Sequence, residues 1–504
     1  MNTRTNHRLT RTTTLLAAFV ATGGALADVT IPGDITVAAG ATLLISDNTT
    51  YSGSLTIEAG TQIVMGSNWQ IRIANGATLT VNGTEAAPVE FFRSNGDWSG
   101  IHMQSGSTGT MNHAELRDVY ENAVRIDDAA LTMNNCWVHD ESSTSMSLSG
   151  TRIAVRLYAG AEMTMDSCKI GPFYGMSGVN SGSTAGTGSN AQRSYGVYAN
   201  TADALSITNS YFNFIRGGQG GKGGQGSTGS KGGNAPDAIL FNGVQGDKGG
   251  TGGTGGNGGL GGNSYGAVSI NTTNTLIAQN VFHVPTGGRG GEGGKGGKGG
   301  KGGKGGAGIG GSTGSSGSTG STGSIGTYGT AGANGEGKMI YGYGQAPSGF
   351  IAHANNNLAT FNGPGFTRAF ESVHNGVLDA DMNLIFNADN NSIGPVIGML
   401  IVEDPMYTDA LAGDYRPGAG SPAIDAGLNS AVPASLTTDY DGNPRFMDDL
   451  TVVDTGIGTG EIVDLGAYEA LGEFTPDCMA DTNGDSFLDN GDIGAFVAAF
   501  LAGC

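Results

Sequence analysis

The chain has little charge, and little positive charge in particular. Only 13% of its 504 residues are charged, and 24 Lys and Arg stand against 44 Asp and Glu, which gives a net charge of -20. An acidic protein repels the phosphate backbone, so nonspecific nucleic-acid binding is not expected. No segment beyond the N-terminus approaches the ~20 consecutive apolar residues of a transmembrane helix, so no membrane insertion of the mature chain is expected.

The N-terminus has the order of a secretory signal peptide. Three arginines precede the apolar run LLAAFVATGGALA, which ends in Ala25-Leu26-Ala27. The run is too short to cross a bilayer, and small residues at its end are typical of a cleavage site. Residues 1–27 are therefore predicted to be a signal peptide. Loss of Arg4, Arg8 and Arg11 takes the net charge from -20 to -23, and the mature chain is predicted to be secreted, extracellular or on the cell surface.

Short alternating strands dominate the chain from residue 28, and helix signals are weak there. Four stretches superimpose: NAVRIDDAALTMNNCWV, IAVRLYAGAEMTMDSCKI, YGVYANTADALSITNSYF and YGAVSINTTNTLIAQNVF. A unit of two or three strands cannot bury its own apolar face and must stack on copies of itself, which predicts a β-solenoid. The predicted inward residues of the first two repeats are Val124, Ile126 and Met133, stacked on Val155, Leu157 and Met165.

The same superposition places one polar residue of each repeat at a common turn. These residues, which are expected to form a polar ladder along the axis, are Asn135, Ser167, Asn209 and Gln279. Cys136 and Cys168 occupy the next column. An exported protein permits disulfides, so a bridge and a pair of small buried thiols are both open interpretations.

These repeats, together with NGATLTVNGTEAAPVEFF and GDWSGIHM, resemble right-handed parallel β-helix proteins of the pectate-lyase-like superfamily. The resemblance covers roughly Asp28 to Asp409 and implies an all-β fold, a right-handed parallel β-helix (solenoid). The predicted domains are a signal peptide at 1–27, the β-helix at 28–410 with Gly-rich insertions at 217–263 and 287–337, a C-terminal region at 411–472, and a small α-helical calcium module at 473–504.

Glycine recurs at every third position in both insertions. The first contains six triplets from Gly217 to Gly232 and six from Gly246 to Gly261, and the second contains 17 such glycines from Gly287 to Gly335. Period three predicts an extended left-handed helix, but the absence of Pro from the second insertion argues against collagen. Helices that run out and back side by side, and disordered linkers, are both open interpretations. Three residues per turn align four lysines along one edge of the second insertion: Lys295, Lys298, Lys301 and Lys304. A solvated face and a polyanion-binding ridge are both open interpretations of this edge.

The outward positions of the aligned strands carry charged and aromatic residues: Arg125, Asp127, Arg156, Tyr158 and Tyr198. The fourth repeat is predicted to place Ser269 outward. Two arginines stacked ~4.8 Å apart repel each other unless a carboxylate or an anionic ligand neutralises them. Three interpretations are open: structural pairing with Asp127, Asp128 or Glu162, glycan binding with the tyrosines as sugar platforms, and catalysis.

Enzymes of the pectate-lyase-like superfamily, which the chain resembles, have recognisable sequence signatures. The chain lacks the aspartate triplet and Gly-His-Gly pattern of polygalacturonases and the calcium-site pattern of pectate lyases. Its histidines show no regular metal spacing. A non-enzyme is therefore preferred, and a polysaccharide lyase or glycoside hydrolase is the alternative.

Residues 403–469 contain EDPMYTDALAGDYRPGAGSPAIDAG, TDYDGNPRFMD and IVDLGAYE. In this order they resemble the closing region of exported bacterial β-helix proteins that precedes a surface anchor. The residues that carry the resemblance are Asp425, Asp439, Asp441, Arg445, Asp464 and Glu469. They are expected to cap the last coil of the solenoid with hydrogen bonds and ion pairs. Asp439 and Asp441 are also candidates for holding a cation.

The tail, residues 473–504, contains DTNGDSFLDNGD, which matches the ligand spacing of an EF-hand calcium loop. The predicted Ca²⁺ ligands are Asp481, Asn483, Asp485, the carbonyl of Phe487, Asp489 and Asp492. An amphipathic helix follows, and a Cys478–Cys504 disulfide is expected to stabilise so small a unit. The final Asp ligand, the single helix and the Gly-Cys ending resemble dockerin-like anchoring segments, which implies a cohesin-like or other surface receptor as partner.

The combined prediction is a secreted or cell-surface β-helix protein, adhesive or structural, anchored through the calcium-binding tail. An extracellular polysaccharide is its candidate ligand. The alternatives are the polysaccharide lyase or glycoside hydrolase above and an extracellular matrix protein that self-associates through its Gly-rich arms.

Overall fold

A computed structural model describes residues 13–14, 28–94, 98–119, 121–140, 151–236, 245–283, 285–306, 321, 323–334, 336–344, 350–361, 367–374 and 376–470. All structural statements below concern these residues. Apart from residues 13–14, the predicted signal peptide lies outside them, as does the whole predicted calcium tail.

Three long sheets, in which every strand pair is parallel, form the body of the protein. The chain passes through sheets I, II and III in turn and repeats this course eleven times, and each pass is called a coil, numbered 1–11. Strands of one coil pair with the equivalent strands of the coils before and after it. The prediction of an all-β parallel β-helix is confirmed.

Sheet I contains β2 (Val29–Ile31), β5 (Thr49–Tyr51), β8 (Ile71–Ile73), β11 (Ile101–Met103), β14 (Asn122–Ile126), β17 (Arg152–Leu157), β21 (Ser194–Asn200), β25 (Ser264–Ile270), β28 (Gly337–Gly344), β31 (Thr367–His374) and β34 (Asn390–Ile393). Sheet II contains β1 (Thr13–Thr14), β3 (Ile35–Val37), β6 (Ser54–Glu58), β9 (Thr78–Asn82), β12 (Thr108–Asn112), β15 (Ala130–Asn134), β18 (Glu162–Asp166), β22 (Ala204–Thr208), β26 (Asn274–Ala278), β29 (Phe350–Asn355), β32 (Gly376–Asp379) and β35 (Val396–Ile397). Sheet III contains β4 (Thr42–Ile45), β7 (Gln62–Met65), β10 (Val89–Arg93), β13 (Ala114–Arg117), β16 (Trp137–His139), β19 (Lys169–Ile170), β23 (Tyr211–Asn213), β27 (Val281–His283), β30 (Leu358–Thr360), β33 (Asn383–Phe386) and β36 (Leu400–Ile401).

Apolar side chains at alternate positions of each strand fill the interior of the coils. Val124 pairs with Val155, Ile126 with Leu157 and Met133 with Met165, and all six are buried. The predicted inward columns are confirmed. Burial of each such aliphatic side chain contributes roughly 1.5–3 kcal/mol to folding. This gain explains why apolar residues recur at every second strand position in each coil.

One left-handed residue turns the chain from sheet II to sheet III. The predicted polar column occupies this corner, with positive φ at Asn135, Ser167, Asn209 and Gln279. The hydrogen-bonded ladder runs one residue later, because there the side chains point inward and meet one another. Asn280 donates its amide to the Oδ1 of Asn357 at 3.0 Å, and Asn357 donates to the Oδ1 of Asn383 at 3.0 Å.

Cys136 and Cys168 begin the same inward column as this ladder. Both thiols are free and buried, and the backbone N–H of Cys136 donates to the Sγ of Cys168 at 3.4 Å. Burial raises the pKa of the Cys168 thiol well above its ordinary value. Of the two interpretations, small buried residues in a stacking column is the one that the structure supports.

The Gly-rich insertions leave the solenoid at the corner between sheets III and I in coils 7 and 8. A third insertion, residues 175–193, leaves the same corner in coil 6. It begins after β20 (Phe173–Tyr174), which pairs with β24 (Ile215–Arg216) at the start of the next insertion. The sequence prediction missed this arm, because its glycines do not keep a strict period of three.

Backbone hydrogen bonds with a period of three join the arms. Within the first predicted insertion the chain runs out and returns: Gly250 donates to Ser230, Gly253 to Ser227 and Gly256 to Gly224, at 2.7, 2.7 and 2.8 Å. Equivalent bonds connect residues 220–232 to 289–301 and residues 249–261 to 321–333. A Cβ on Gly291 would collide with the carbonyl oxygen of Gly221. In their described parts the arms are packed against one another with a period of three, and the linker interpretation does not apply there.

The C-terminal region lies along the side of the solenoid. It contains the hairpin β37 (Tyr407–Asp409) and β38 (Asp414–Pro417) and a short 3-10 helix, Asn429–Ala431. Tyr415, Ala423 and Leu465 pack with residues of four successive coils on the outer face of sheet III, namely Tyr211, Val281, Leu358 and Leu384. The segment was expected to cap the last coil. Its described contacts are lateral, because these sheet III side chains offer an apolar outer surface that the segment covers.

No helix among the described residues has the length and hydropathy needed to span a bilayer.

Candidate functional site

The predicted site residues lie together on the outer face of sheet I. Arg125 pairs in register with Arg156, and Arg156 with Tyr198. In coil 8 this column continues with Val268, and Ser269 is buried. The expectation that Ser269 points outward was wrong by one residue, because the shared SYG at the start of β21 and β25 sets the register.

Rings and guanidinium groups form one continuous strip across four coils. The Arg125 guanidinium carbon lies 4.8 Å from the centre of the Tyr158 ring, and the Arg156 carbon lies 4.9 Å from Tyr158 and 5.4 Å from Tyr198. The ring of Tyr198 lies 5.1 Å from Tyr195, which stacks on Tyr265 at 4.7 Å. We call this set the sheet I strip: Arg125, Tyr158, Arg156, Tyr198, Tyr195 and Tyr265.

At one end of the strip Arg125 is neutralised by a carboxylate. Its Nε and Nη2 donate to the two oxygens of Asp127 at 3.0 and 2.7 Å, and the Nε2 of His102 lies 2.9 Å from Asp127 Oδ2. Burial opposes ionisation of Asp127, but the hydrogen bonds from Arg125 and His102 lower its pKa on balance. Burial also lowers the pKa of His102. The predicted structural pairing therefore holds for Arg125.

Arg156 has no such partner among the described residues. Its Nε is shielded from solvent and has no hydrogen-bond acceptor, and the described part of the chain offers it no carboxylate at ion-pair distance. Of the carboxylates expected to neutralise it, Asp128 accepts a hydrogen bond from Ser105, and Glu162 belongs to sheet II. Arg156 is thus held between two tyrosine faces with its charge unneutralised.

Two open grooves flank the rings of Tyr195 and Tyr198. One, of about 440 Å³, is lined by Arg156, Arg193 and Glu121 together with these rings, and the other, of about 270 Å³, continues over Tyr265 and Tyr341. Residues 191–193, where the arm of residues 175–193 rejoins the solenoid, form one wall of the groove that Arg156 lines. A chain-like ligand can thus lie across several coils beside the base of the arms.

The sequence prediction missed the residues that extend the strip. Arg193 lies at the end of an arm that was not recognised, and its hydrogen bond with Tyr195 raises its pKa. Strands β21 and β25 both begin with the sequence SYG, so Tyr195 and Tyr265 occupy equivalent positions. This repeat could have identified both tyrosines from the sequence. Beyond them two cations and two carboxylates neutralise each other, at 2.8–3.1 Å: Lys338, Arg368, Glu336 and Glu371.

Another open groove, of about 650 Å³, lies on the outer face of sheet II. Small residues such as Thr132, Thr164 and Ser206 line most of it, and it contains one carboxylate, Glu162. The His353 ring that borders it pairs with Asp379 at 2.9 Å. Because it has no convergent set of charged groups, this groove is a weaker candidate than the sheet I strip.

Of the C-terminal residues that carry the resemblance, all but the exposed Asp441 are buried, and they form a hydrogen-bonded network. Arg445 is fully buried and its Nε lies 3.1 Å from Glu469 Oε1. Asp439 Oδ1 accepts the N–H groups of Asp441 and Asn443, its Oδ2 accepts that of Glu469, and Asp441 pairs with Arg416 at 2.6 Å. Both oxygens of Asp439 and the Oδ2 of Asp441 already accept hydrogen bonds in this network, which makes the pair a poor fit to the predicted cation site.

The predicted calcium ligands from Asp481 to Asp492, and the predicted Cys478–Cys504 bridge, lie outside the described residues. No protein-family model matches the chain, and no curated protein matches it.

Proposed function

We propose that the chain is a secreted or cell-surface adhesive protein that binds an acidic polysaccharide along the sheet I strip. The observation that carries the proposal is Arg156, a cation fixed between Tyr158 and Tyr198 that no carboxylate of the described residues neutralises. Uronate or sulfate groups supply the missing anion, and tyrosine faces pack against the apolar faces of sugar rings.

The arrangement supports binding of a polymer. Arg156, Arg193 and Glu121 line one groove, so its charged lining carries a net positive charge. The strip crosses consecutive coils, and coils in a β-solenoid are ~4.8 Å apart, so a linear glycan contacts several of them at once. An exposed surface with an overall acidic charge also repels most anions, which restricts binding to this cationic channel.

The resemblance to right-handed pectate-lyase-like β-helix proteins and the dockerin-like tail complete the proposal. Residues 1–27 direct export, and residues 473–504 bind Ca²⁺ and attach the chain to a cohesin-like or other surface receptor.

A calorimetric titration tests the binding site. The probe is an oligogalacturonate added to the full mature chain, to Arg156→Gln and to Arg72→Gln as a matched control. Arg72 occupies the same outward column but already pairs with Asp28. Loss of a charge-assisted hydrogen bond costs about 1.5–3 kcal/mol, so Arg156→Gln is expected to weaken binding roughly 10- to 100-fold. Equal affinities for Arg156→Gln and Arg72→Gln would contradict the proposal.

One observation favours a lyase as the second candidate function. His102 and Asp127 form a hydrogen-bonded pair beside Arg125, and a neutral histidine with a lowered pKa can accept a proton from a uronate. The assay is the ultraviolet absorbance of unsaturated uronate after incubation with polygalacturonate. A lyase would produce this signal in the wild type and in Arg72→Gln but not in His102→Ala, and no signal in the wild type would exclude the activity on this polymer.

A further inference from the structure

A second acidic site lies in the C-terminal region, away from the sheet I strip. Asp425 is the last residue of the turn at 422–425, and Asp448 and Asp454 lie on the loop of residues 446–456. The loop returns to Asp425, whose carbonyl accepts the N–H groups of Thr455 and Gly456 at 2.9 and 3.0 Å. One carboxylate oxygen from each aspartate lies within 4.8 Å of the other two.

The buried member of this trio has an oxygen without a partner. Asp425 is 0% exposed, and its Oδ1 has no hydrogen-bond donor among the described residues. Its Oδ2 accepts only the N–H of Asp449, at 3.3 Å. A buried, unpartnered carboxylate oxygen is costly, and native structures rarely retain one without water, an ion or a function to account for it.

No described basic side chain offsets this charge. Arg445 is committed to Glu469, and Arg416 to Asp414 and Asp441. Neither Asp448 nor Asp454 forms an ion pair or hydrogen bond with the described part of the chain. The three carboxylates therefore lack a counter-charge.

We propose that Asp425, Asp448 and Asp454 bind one calcium ion that fastens the loop of residues 446–456 to the C-terminal region. Calcium prefers carboxylate oxygens at 2.3–2.6 Å, so two oxygens on one ion lie at most roughly 5 Å apart, which fits the observed separations. Asp425 supplies a buried, fixed ligand. Asp448 and Asp454 are exposed and supply ligands from the loop, and water completes the coordination shell.

The ion has a defined structural effect. The N–H of Asp425 donates to Asp464 at 2.7 Å, and Asp464 in turn accepts the N–H of Ala470. The site is thus joined through two hydrogen bonds to the last described residue, after which the predicted tail follows. Calcium at this site stabilises the segment that connects the solenoid to its proposed anchor.

The test separates this site from the predicted calcium loop in the tail. The full mature chain carrying Asp481→Asn and Asp485→Asn, which disable the tail loop, is freed of metal by chelation and titrated with CaCl₂ by calorimetry. The same background then receives Asp448→Asn with Asp454→Asn, or Glu461→Gln as a control that removes one exposed negative charge nearby. Asp448 and Asp454 are exposed, so their substitution leaves the fold intact.

We expect one calcium ion per chain in the background protein, and a rise in Tm on its addition. Affinity falls at least 100-fold in the Asp448→Asn, Asp454→Asn chain, and the calcium-dependent rise in Tm disappears. Glu461→Gln changes neither quantity by more than twofold. Absence of calcium binding in the background chain, or equal affinity in the Asp448→Asn, Asp454→Asn chain and the Glu461→Gln chain, overturns the proposal.

Discussion

Replacement of Arg445 by methionine tests how the C-terminal region is held on the solenoid. Arg445 donates from Nη1 to Asn209 Oδ1 and to the carbonyl of Ala467, at 3.2 and 3.1 Å, and from Nη2 to the carbonyl of Gly466 at 2.7 Å. It also donates to Gln279 and pairs with Glu469. One side chain therefore joins two coils to residues 466–469 of the C-terminal region.

The magnitude follows from burial. Arg445 is fully buried and Glu469 almost so, and removal of one member of a buried ion pair costs about 3–5 kcal/mol because the other charge loses its partner. Burial already raises the pKa of Glu469, and Arg445 opposes that effect. In Arg445→Met the carboxyl takes up a proton more readily, so the loss of stability is larger at pH 8 than at pH 6.

Native-state hydrogen exchange measures the effect locally. The N–H of Gly466 donates to the carbonyl of Asn356 and that of Leu428 to the Oδ1 of Asn356, so both report on detachment of the region from the solenoid. Arg445→Met is expected to reduce their opening free energy by about 3–5 kcal/mol, and Arg445→Met with Glu469→Gln by less, since no buried charge remains. Arg416→Met is the control: this half-exposed arginine pairs with Asp414 and Asp441 and contributes about 1 kcal/mol or less. A loss under about 1 kcal/mol in Arg445→Met would refute the reasoning.

Three further predictions concern the solenoid and its arms. Burial lowers the pKa of His283 to about 4 from an ordinary 6.5. The contribution of this histidine to stability is therefore complete above pH 6.5 and is lost as the pH falls through 4. Over this range the free energy of unfolding of the wild type should fall by roughly 2–3 kcal/mol more than that of His283→Gln. Gly291→Val should raise the rate of limited proteolysis in the arms about tenfold or more, whereas Lys298→Ala, at an exposed position of the same arm, should leave it unchanged. Cys136 and Cys168 should be unreactive toward a thiol reagent until the chain unfolds, when two thiols react if the C-terminal cysteines are bridged and four if they are not.

The parallel β-helix was predictable because its coils repeat one local requirement. A strand with one inward face needs apolar residues at alternate positions, and the match of Val124 with Val155 and of Met133 with Met165 follows from that need alone. The three-residue repeat of the arms was equally predictable from the sequence. It reflects the close approach of neighbouring backbones, which leaves no room for a Cβ at positions such as Gly291.

Long-range contacts were not predictable in this way. Asn209 donates to the carbonyl of Thr438, a contact between residues 229 positions apart that no local pattern specifies. The lateral course of the C-terminal region depends on such contacts. In the candidate site the register of Arg125, Arg156 and Tyr198 followed from the repeat, whereas Arg193 joins the site because an arm of irregular sequence ends beside Tyr195.

The most direct test of the proposed function compares one polymer with and without its charge. Immobilised polygalacturonate and the same polymer after complete methyl esterification are presented to the mature chain at equal density. Binding to the acidic form, little or none to the ester, and loss of binding in Arg156→Gln but not in Arg72→Gln are the predicted results. Equal binding to both forms, or to neither, would contradict recognition of an acidic polysaccharide of this class by the sheet I strip.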